Sequence, residues 1–343
     1  MAQRSATPNQ VVSLEKSKPE SLWRTSLERL ARNRSSVMGL LIILFAIFVA
    51  VAAPVLAPKS YKTQVLSDAN SAPQWVIDMF PTMKSIEDGG YVKVNDSYPL
   101  GADNLGRDLL SRIIYGTQVS LMVAFVGPAV ALIVGLTLGL ISGYVGGWVD
   151  NLIMRFTDIM YAFPTLLLII LLMSFFRSSL GNVEPGSFAY KVGELDRASG
   201  GMLFIFIGVG LTSWMQTARL TRGQVLYVRE QEYITAARSI GSPTMPILWR
   251  HILPNILGPI VVAETLTIPR YISYEAFLSF IGLGVNPPTP SWGAMISEGA
   301  NAISTYPNQA IFPALALFLV MFSFNFLGDG LRDALDPRMR GID

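Results

Sequence analysis

Six long apolar stretches, separated by polar segments, dominate the pattern of side chains along the chain. They cover approximately residues 37–57, 118–141, 160–176, 202–218, 252–283 and 310–327. A helix needs about 20 apolar residues to cross about 30 Å of hydrocarbon. The pattern therefore predicts six transmembrane helices, with Asp158 and Arg219 near the membrane interface because the third and fourth stretches are short.

The distribution of Lys and Arg predicts the orientation of these spans. Basic residues are concentrated before the first stretch, between the fourth and the fifth, and after the sixth, whereas residues 284–309 contain none. Short cytosolic segments carry an excess of Lys and Arg. We therefore predict an all-α membrane protein with both termini in the cytosol.

The composition agrees with a membrane protein and excludes several other classes. Of the 343 residues, 51% are hydrophobic and only 15% are charged, whereas soluble proteins are about 25% charged. A net charge of +2 is too small to indicate a nucleic-acid partner. Basic residues before the first apolar stretch resemble a secretory signal, but the stretch is too long and starts too late, which favours a retained anchor.

The sequence lacks the residues of several common catalytic and metal sites. There is no cysteine, and His251 is the single histidine. A zinc site with two histidines is therefore impossible, and no G-x-x-x-x-G-K-[ST] segment is present to cradle ATP phosphates. We predict a non-catalytic chain that holds no metal and no cofactor of its own.

The spans divide the chain into a simple order of segments. We predict a cytosolic segment over 1–36, the first span over 37–57, an extracytoplasmic loop over 58–117, a core of five spans over 118–331 and a cytosolic tail over 332–343. Residues 21–34 read either as a surface helix whose arginines reach lipid headgroups or as a plain basic flank.

The sequence also suggests how the segments outside the membrane are organised. The long segments 58–97 and 177–200 are interpreted as variable loops or as contacts for an extracytoplasmic partner protein, and residues 75–83 could include a short helix. Residues 104–115 predict an amphipathic helix on the outer surface that leads into the second span.

One cytosolic segment, residues 225–255, has the pattern of two helices joined by a tight turn. Gly241 follows the last periodic residue, as a glycine in the left-handed region does at a helix end. Ser242 then predicts an N-cap, with Pro243 at the first position of the next helix. The segment suits insertion into a groove of a partner protein, or it is a hairpin that only connects two spans.

The residues of this segment resemble the EAA loop of ABC importer permeases. Residues 232–241 read EYITAARSIG, and Leu253 and Pro254 follow at the family's spacing, although Thr235 replaces the glutamate and His251 the isoleucine of the family pattern. The resemblance implies contact with an ATPase through a set of residues, namely Glu232, Ala236, Ala237, Arg238, Gly241 and Pro254.

Four further stretches are similar to the C-type permeases that serve dipeptides and oligopeptides. They are residues 99–108 (PLGADNLGRD), 143–150 (GYVGGWVD), 277–293 (FLSFIGLGVNPPTPSWG) and 326–338 (FLGDGLRDALDPR). The resemblance implies a bacterial or archaeal inner-membrane permease with lipid around it, a homologous second permease, two cytosolic ATPases that bind ATP and Mg²⁺, and an extracytoplasmic binding protein. It implies short peptides as cargo, with nickel, glutathione, opines and oligosaccharides as alternatives.

Three ionisable residues fall inside the fifth span: Glu264, Arg270 and Glu275. Such groups are costly at membrane depth and usually face the bundle interior or water. They are interpreted either as a cluster that lines the translocation pathway or as structural charges. Two rival functions remain: a secondary transporter, which should show internal repeats, and a structural scaffold, which should not depend on residues 225–255.

Overall fold

A computed structural model describes residues 22–181 and 186–335, and these residues are overwhelmingly helical. The helices, in chain order, are α1 (Leu22–Arg32), α2 (Arg34–Val51), α3 (Ala53–Leu56), α4 (Gln74–Met79), α5 (Leu109–Val130), α6 (Leu136–Val145), α7 (Gly147–Ala162), α8 (Thr165–Gly181), α9 (Phe188–Ala198), α10 (Met202–Arg229), α11 (Glu232–Ser239), α12 (Thr244–Pro246), α13 (Leu253–Phe280), α14 (Trp292–Ala300) and α15 (Asn308–Leu335). A 3-10 turn covers Leu66–Asp68, and π-helical turns at Ala131–Gly135 and Ile247–Ile252 join α5 to α6 and α12 to α13.

The long apolar helices confirm the all-α membrane fold. Five of them are long and apolar enough to span a membrane: Arg34–Val51, Leu109–Val145, Met202–Arg229, Thr244–Phe280 and Asn308–Leu335. The pair Gly147–Ala162 and Thr165–Ser179 is long and apolar enough when taken together, but it is bent by 86°. This count agrees with the six predicted stretches when the bent pair is taken as one span.

The bend in the third span has a local cause. Phe163 has φ −88° and ψ 133°, an extended conformation, and Pro164 follows it. A proline disfavours helical geometry in the preceding residue and cannot donate a backbone hydrogen bond. The predicted third span, 160–176, missed the first arm because α7 carries Asp150, Arg155 and Asp158 among its apolar residues.

Close packing of α6 on α10 depends on a ladder of glycines. A Cβ placed on Gly135, Gly139 or Gly143 would lie within 2.8 Å of the Cβ of a residue of α10. Those residues, Thr217, Thr221 and Val225, recur at the same spacing of four. Small residues let helix backbones approach in a membrane, so this ladder fixes α10, which carries residues of both candidate sites described below.

The outer segment between α3 and α5 is a folded layer that packs on the beginning of α15. Ala72, Val76 and Val92 are fully buried in it. The Asn308 side chain donates to the Leu100 carbonyl at 3.0 Å, and Gln309 donates to Asn70 at 2.9 Å. The short predicted surface helix is α4, Gln74–Met79; most of the layer has no regular secondary structure, and hydrophobic periodicity therefore could not predict it.

At the cytosolic end, α1 packs beside α15. Asn33 separates α1 from α2, and its side-chain oxygen accepts hydrogen bonds from the backbone of Ser35 and Ser36. The break falls inside the predicted surface helix 21–34. Its contact with lipid stays a prediction.

Candidate coupling loop and translocation pathway

The helix α11 ends in a glycine turn at Gly241. Gly241 has φ +81°, the left-handed conformation predicted for it. Its amide donates to the Arg238 carbonyl at 2.9 Å, and the Ser242 amide donates to the Ala237 carbonyl at 3.1 Å. This pair of bonds is a Schellman motif, which satisfies carbonyls at a helix end and holds the direction of the chain that leaves it.

The next helix starts one residue later than predicted. Its N-cap is Pro243, in an extended conformation, and the helix begins at Thr244 without a side-chain cap. The predicted cap by Ser242 is therefore wrong, since the Ser242 amide belongs to the turn that ends α11 and Pro243 takes the N-cap position. A π-helical turn then carries the chain through His251 into α13.

The predicted coupling residues lie on two different faces of α11. Ile234 and Ala237 are buried against the bundle, whereas Tyr233, Ala236 and Ile240 face outward, with Ile240 84% exposed. The outward stripe of Tyr233, Ala236 and Ile240 is the surface that a partner would meet. Ala237 packs against the bundle in this chain, and its part in coupling stays a prediction.

The remaining predicted coupling residues lie around this stripe. Glu232 and Arg238 are exposed, as is Pro254 in the first turn of α13. The Arg238 guanidinium lies 5.6 Å from the centre of the Tyr144 ring. This contact links α11 to the end of α6, because cations are attracted to aromatic faces within about 6 Å.

Residues 143–150 form a bracket beside α11, and sequence reasoning assigned them no role. The Arg222 Nε and Nη2 atoms donate to the two carboxylate oxygens of Asp150, each at 2.6 Å. Ser142 also donates to Asp150, and Arg229 Nη1 donates to the Gly143 carbonyl at 3.0 Å. The junction of α6 and α7 is thus tied to the last two turns of α10, directly before α11.

The three ionisable residues of the fifth span do not form one cluster. Glu264 and Glu275 are buried, but eleven residues correspond to about 16 Å along a helix, so they meet different neighbours. Glu264 accepts from Thr217 and from Tyr271. Glu275 is fully buried and accepts from Ser279 at 2.8 Å and Ser120 at 3.4 Å.

Arg270, by contrast, is exposed and points to a polar cleft between α7, α8, α10 and α13. Its Nη1 donates to the Gln216 side-chain oxygen at 3.2 Å. The cleft is lined by Tyr161, Thr165, Thr212, Ser213, Met215, Gln216, Thr267, Arg270, Tyr271 and Tyr274. Sequence reasoning missed the α10 contribution, although Thr212, Ser213 and Gln216 are polar interruptions of an apolar span.

A buried ion network joins the outer end of α5 to α14. Asp103 accepts from Arg107 Nε at 2.6 Å and also from Arg112. Both arginines also bind Glu298 of α14, at 2.9 and 2.8 Å.

The predicted amphipathic surface helix over residues 104–115 is therefore wrong. Arg107 and Arg112 satisfy acidic partners inside the protein instead of facing water. Asp108 caps α5 through Ser111. Burial raises the pKa of Asp108, although the hydrogen bonds from Ser111 oppose that shift.

Across the part of the chain that the structure describes, no three His, Cys, Asp or Glu side chains are grouped to hold a metal ion.

Comparison with known proteins assigns the family. Residues 135–341 match the family described as binding-protein-dependent transport system inner membrane component. The chain belongs to this family. Residues 21–73 also match the N-terminal transmembrane domain of oligopeptide transport permease C. This inner-membrane permease is therefore an ABC importer subunit of the C type, as its motifs indicated.

Characterised relatives cover nearly its whole length. The chain is 36% identical over 320 residues to the oligopeptide transport system permease protein OppC of Bacillus subtilis (strain 168), covering 93% of this chain and 91% of the relative. It is 34% identical to the dipeptide transport system permease protein DppC of the same organism, covering 94% and 86%. The glutathione transport system permease protein GsiD of Escherichia coli O6:K15:H31 (strain 536 / UPEC) is 37% identical, covering 93% and 90%.

Solved structures share the fold. An inward-facing structure of the MetNI methionine ABC transporter matches with a TM-score of 0.52 and 17% identity, covering 66% of this permease and 98% of the matched chain. The likeness extends to the fold alone.

Proposed function

We propose that this permease forms, with a homologous second permease, the pathway of an ATP-driven importer of short peptides. Two cytosolic ATPases bind ATP and Mg²⁺ and drive transport through residues 225–255, and an extracytoplasmic binding protein delivers the cargo. The observation that carries this proposal is the exposed stripe of Tyr233, Ala236 and Ile240 on a helix held by a Schellman turn. The relatives named for oligopeptide and dipeptide transport support the choice of cargo.

The stripe suits helix-in-groove docking. Its small central residue, Ala236, allows close approach, while Tyr233 and Ile240 supply apolar contacts. Glu232 and Arg238 flank it as exposed charges. A docked α11 passes force directly to α10, and the bracket around Asp150 passes it on to α6 and α7, so that closure of the ATPases changes the arrangement of the spans.

Such coupling requires that the ATPases favour one arrangement of the bundle over the other. A ligand with equal affinity for two states shifts neither population. The stiffness of the α11 turn matters for this reason, because a flexible turn would absorb the movement and leave both states of the spans equally populated.

A glutathione cargo is the second candidate, since a relative named for glutathione transport matches as fully as the peptide permeases do. Mass spectrometry of the ligand held by the copurified binding protein separates the two. A short-peptide mixture supports the first candidate, whereas glutathione alone supports the second.

The docking proposal is tested with the complete complex in proteoliposomes by replacing Gly241 with valine. A branched side chain in the left-handed conformation costs about 1–2 kcal/mol, although the space around Gly241 is open. We expect an assembled complex whose ATPases hydrolyse ATP without cargo uptake.

Gly282 supplies a matched control. It has φ +82° and equally open surroundings, but lies at the other end of α13. Gly282→Val should leave ATPase activity dependent on the loaded binding protein. Normal uptake by the Gly241→Val complex would contradict docking through α11.

A further inference from the structure

Arg270 is a cation at membrane depth. It lies within α13 (Leu253–Phe280), about 15 Å of helix from the Phe280 end. Its side chain is exposed on the surface of this chain. An arginine facing hydrocarbon at this depth is costly, so such residues face a water-filled cavity or a partner group.

The cleft gives Arg270 a neutral neighbour rather than an acidic one. In residues 22–181 and 186–335, no carboxylate oxygen lies within salt-bridge distance of Arg270, and its hydrogen bond goes to the Gln216 amide oxygen at 3.2 Å. Arg219, one turn further along α10, is paired with Asp158 at 2.5 Å. The positive charge of Arg270 is thus left for another group.

Glu264, an acidic residue of the same helix, is engaged elsewhere. Its carboxylate accepts hydrogen bonds from Thr217 and Tyr271 in the interior of the bundle, and the side chain is only 5% exposed. Glu264 therefore does not complete the coordination of the guanidinium.

Other walls of the cleft offer hydroxyl donors. Tyr161, Thr165 and Tyr274 line it and are at least partly exposed. Thr212 and Ser213 also line it from α10, but their hydroxyls already donate to backbone carbonyls of that helix. A guanidinium surrounded by hydroxyl groups fits a planar anion, because two parallel N–H bonds match the two oxygens of a carboxylate.

We propose that Arg270 binds the free carboxylate of the cargo during its passage, with Gln216 as a positioning residue for the guanidinium. The inference rests on the proposed peptide cargo, since every unmodified peptide carries a terminal carboxylate. Exposure of the site keeps the attraction weak, as transport needs a group that the cargo can also leave.

The charge of the cleft can be tested without any cargo, by modifying an introduced cysteine with charged thiol reagents. The chain has no cysteine of its own, so the introduced thiol is the one in this subunit that reacts. Thr165→Cys places a near-isosteric thiol in the cleft, and Ser304→Cys places one on the exposed outer surface. Each is reacted, in the complete complex, with an anionic and a cationic methanethiosulfonate of similar size.

We expect the anionic reagent to be favoured at Thr165→Cys, relative to Ser304→Cys. Adding Arg270→Gln should lower that preference about tenfold, since one charge at about 6 Å in water changes each rate about threefold in opposite directions. Lys84→Gln, which removes an exposed outer charge, should leave it unchanged. An absent preference overturns the site and indicates that the second permease already neutralises Arg270. A preference that survives Arg270→Gln also overturns the site, because another positive charge then attracts the reagent.

Uptake then tests the ligand. Proteoliposomes are given trialanine or its C-terminal amide at concentrations that saturate the binding protein for each. Arg270→Gln should lower uptake of the acid on the order of tenfold relative to the amide, the size expected for one charge-assisted contact, and Arg270→Lys should restore part of it.

The outcomes separate the inference from the function on which it rests. Equal losses for acid and amide overturn carboxylate binding while leaving peptide transport intact. Failure of the wild-type complex to import either peptide, with the reagent preference retained, overturns the peptide assignment and with it the identity of the ligand.

Discussion

Arg222 holds Asp150 through two hydrogen bonds of 2.6 Å, one to each carboxylate oxygen. The pair joins the last turns of α10 to the start of α7, where the chain has just left the membrane bundle through α6. Because α11 follows α10 directly, this pair connects the helix before the proposed docking helix to another part of the bundle, as the hydrogen bond from Arg229 to the Gly143 carbonyl also does.

Breaking this pair should uncouple transport before it unfolds the permease. Asp150→Asn keeps the size of the side chain but removes the charge that Arg222 binds. We expect a cost of about 1–3 kcal/mol, as for hydrogen bonds between charged groups, seen as a lower midpoint of thermal aggregation of the purified complex. We also expect ATP hydrolysis with reduced uptake.

The exposed pair of Arg219 and Asp158 is the matched control. Its side chains are 44% and 52% exposed, and such surface pairs contribute about 0–1 kcal/mol. Asp158→Asn should therefore shift the midpoint less than Asp150→Asn does. Equal shifts would mean that the bracket has no special role.

The outer ion network should respond unequally to the loss of its members. Arg112 is buried and reaches both Asp103 and Glu298, so Arg112→Gln leaves Arg107 to balance both carboxylates alone. Loss of one member of a buried pair costs about 3–5 kcal/mol. We expect little assembled complex after mild-detergent purification.

Glu298 tests the same network from its exposed side. Its side chain is 38% exposed, so water can replace part of what it provides. Glu298→Gln should retain assembly with a smaller loss of thermal stability. An Arg112→Gln complex as stable as the Glu298→Gln complex would contradict the assignment of the network as a buried brace.

The glycine ladder predicts a steric effect on the bundle. A Cβ on Gly139 would lie 2.5 Å from the Thr221 Cβ and 2.6 Å from the Ala218 carbonyl oxygen. Gly139→Val should therefore separate α6 from α10 and abolish assembly, measured by copurification of the second permease.

Gly223 is the control position, which shows whether any substitution of a helical glycine disturbs assembly. It lies in α10 with open space around its Cα, and replacing a helical glycine with alanine gains up to about 1 kcal/mol. Gly223→Ala should assemble normally. Assembly of Gly139→Val at wild-type levels would show that the α6–α10 approach is not required.

Apolar periodicity predicted the spans because a membrane helix needs a long apolar run, whatever it packs against. The turn at Gly241 was predictable for a similar local reason. The left-handed backbone conformation at the end of a helix favours glycine, whatever the rest of the fold. Two ion pairs could not be predicted from the sequence: Asp103 with Arg112, and Asp150 with Arg222. Only the tertiary fold brings the members of each pair together.

The fifth span shows how the same limit affects a site. Sequence spacing placed Glu264 and Glu275 on one face of α13, and the structure places both in the interior. Helical spacing gives the direction of a side chain relative to its own helix, but it does not say which neighbours lie there. The Arg270 cleft needs α7, α8 and α10, which no pattern within α13 could supply.

Glu275 should act as a structural residue, in contrast to Arg270. It is fully buried and accepts hydrogen bonds from Ser120 of α5 and Ser279 of its own helix. Glu275→Gln preserves an acceptor oxygen for these serines, so we expect assembly and uptake of both acid and amide peptides close to wild type. Glu275→Leu leaves both hydroxyls without this acceptor, at about 1–3 kcal/mol for a buried unsatisfied group, and should lower the thermal midpoint of the complex. A changed preference between acid and amide cargo in Glu275→Gln, with unaltered stability, would contradict this assignment. Glu275 would then belong to the pathway and would become exposed to the cargo during transport.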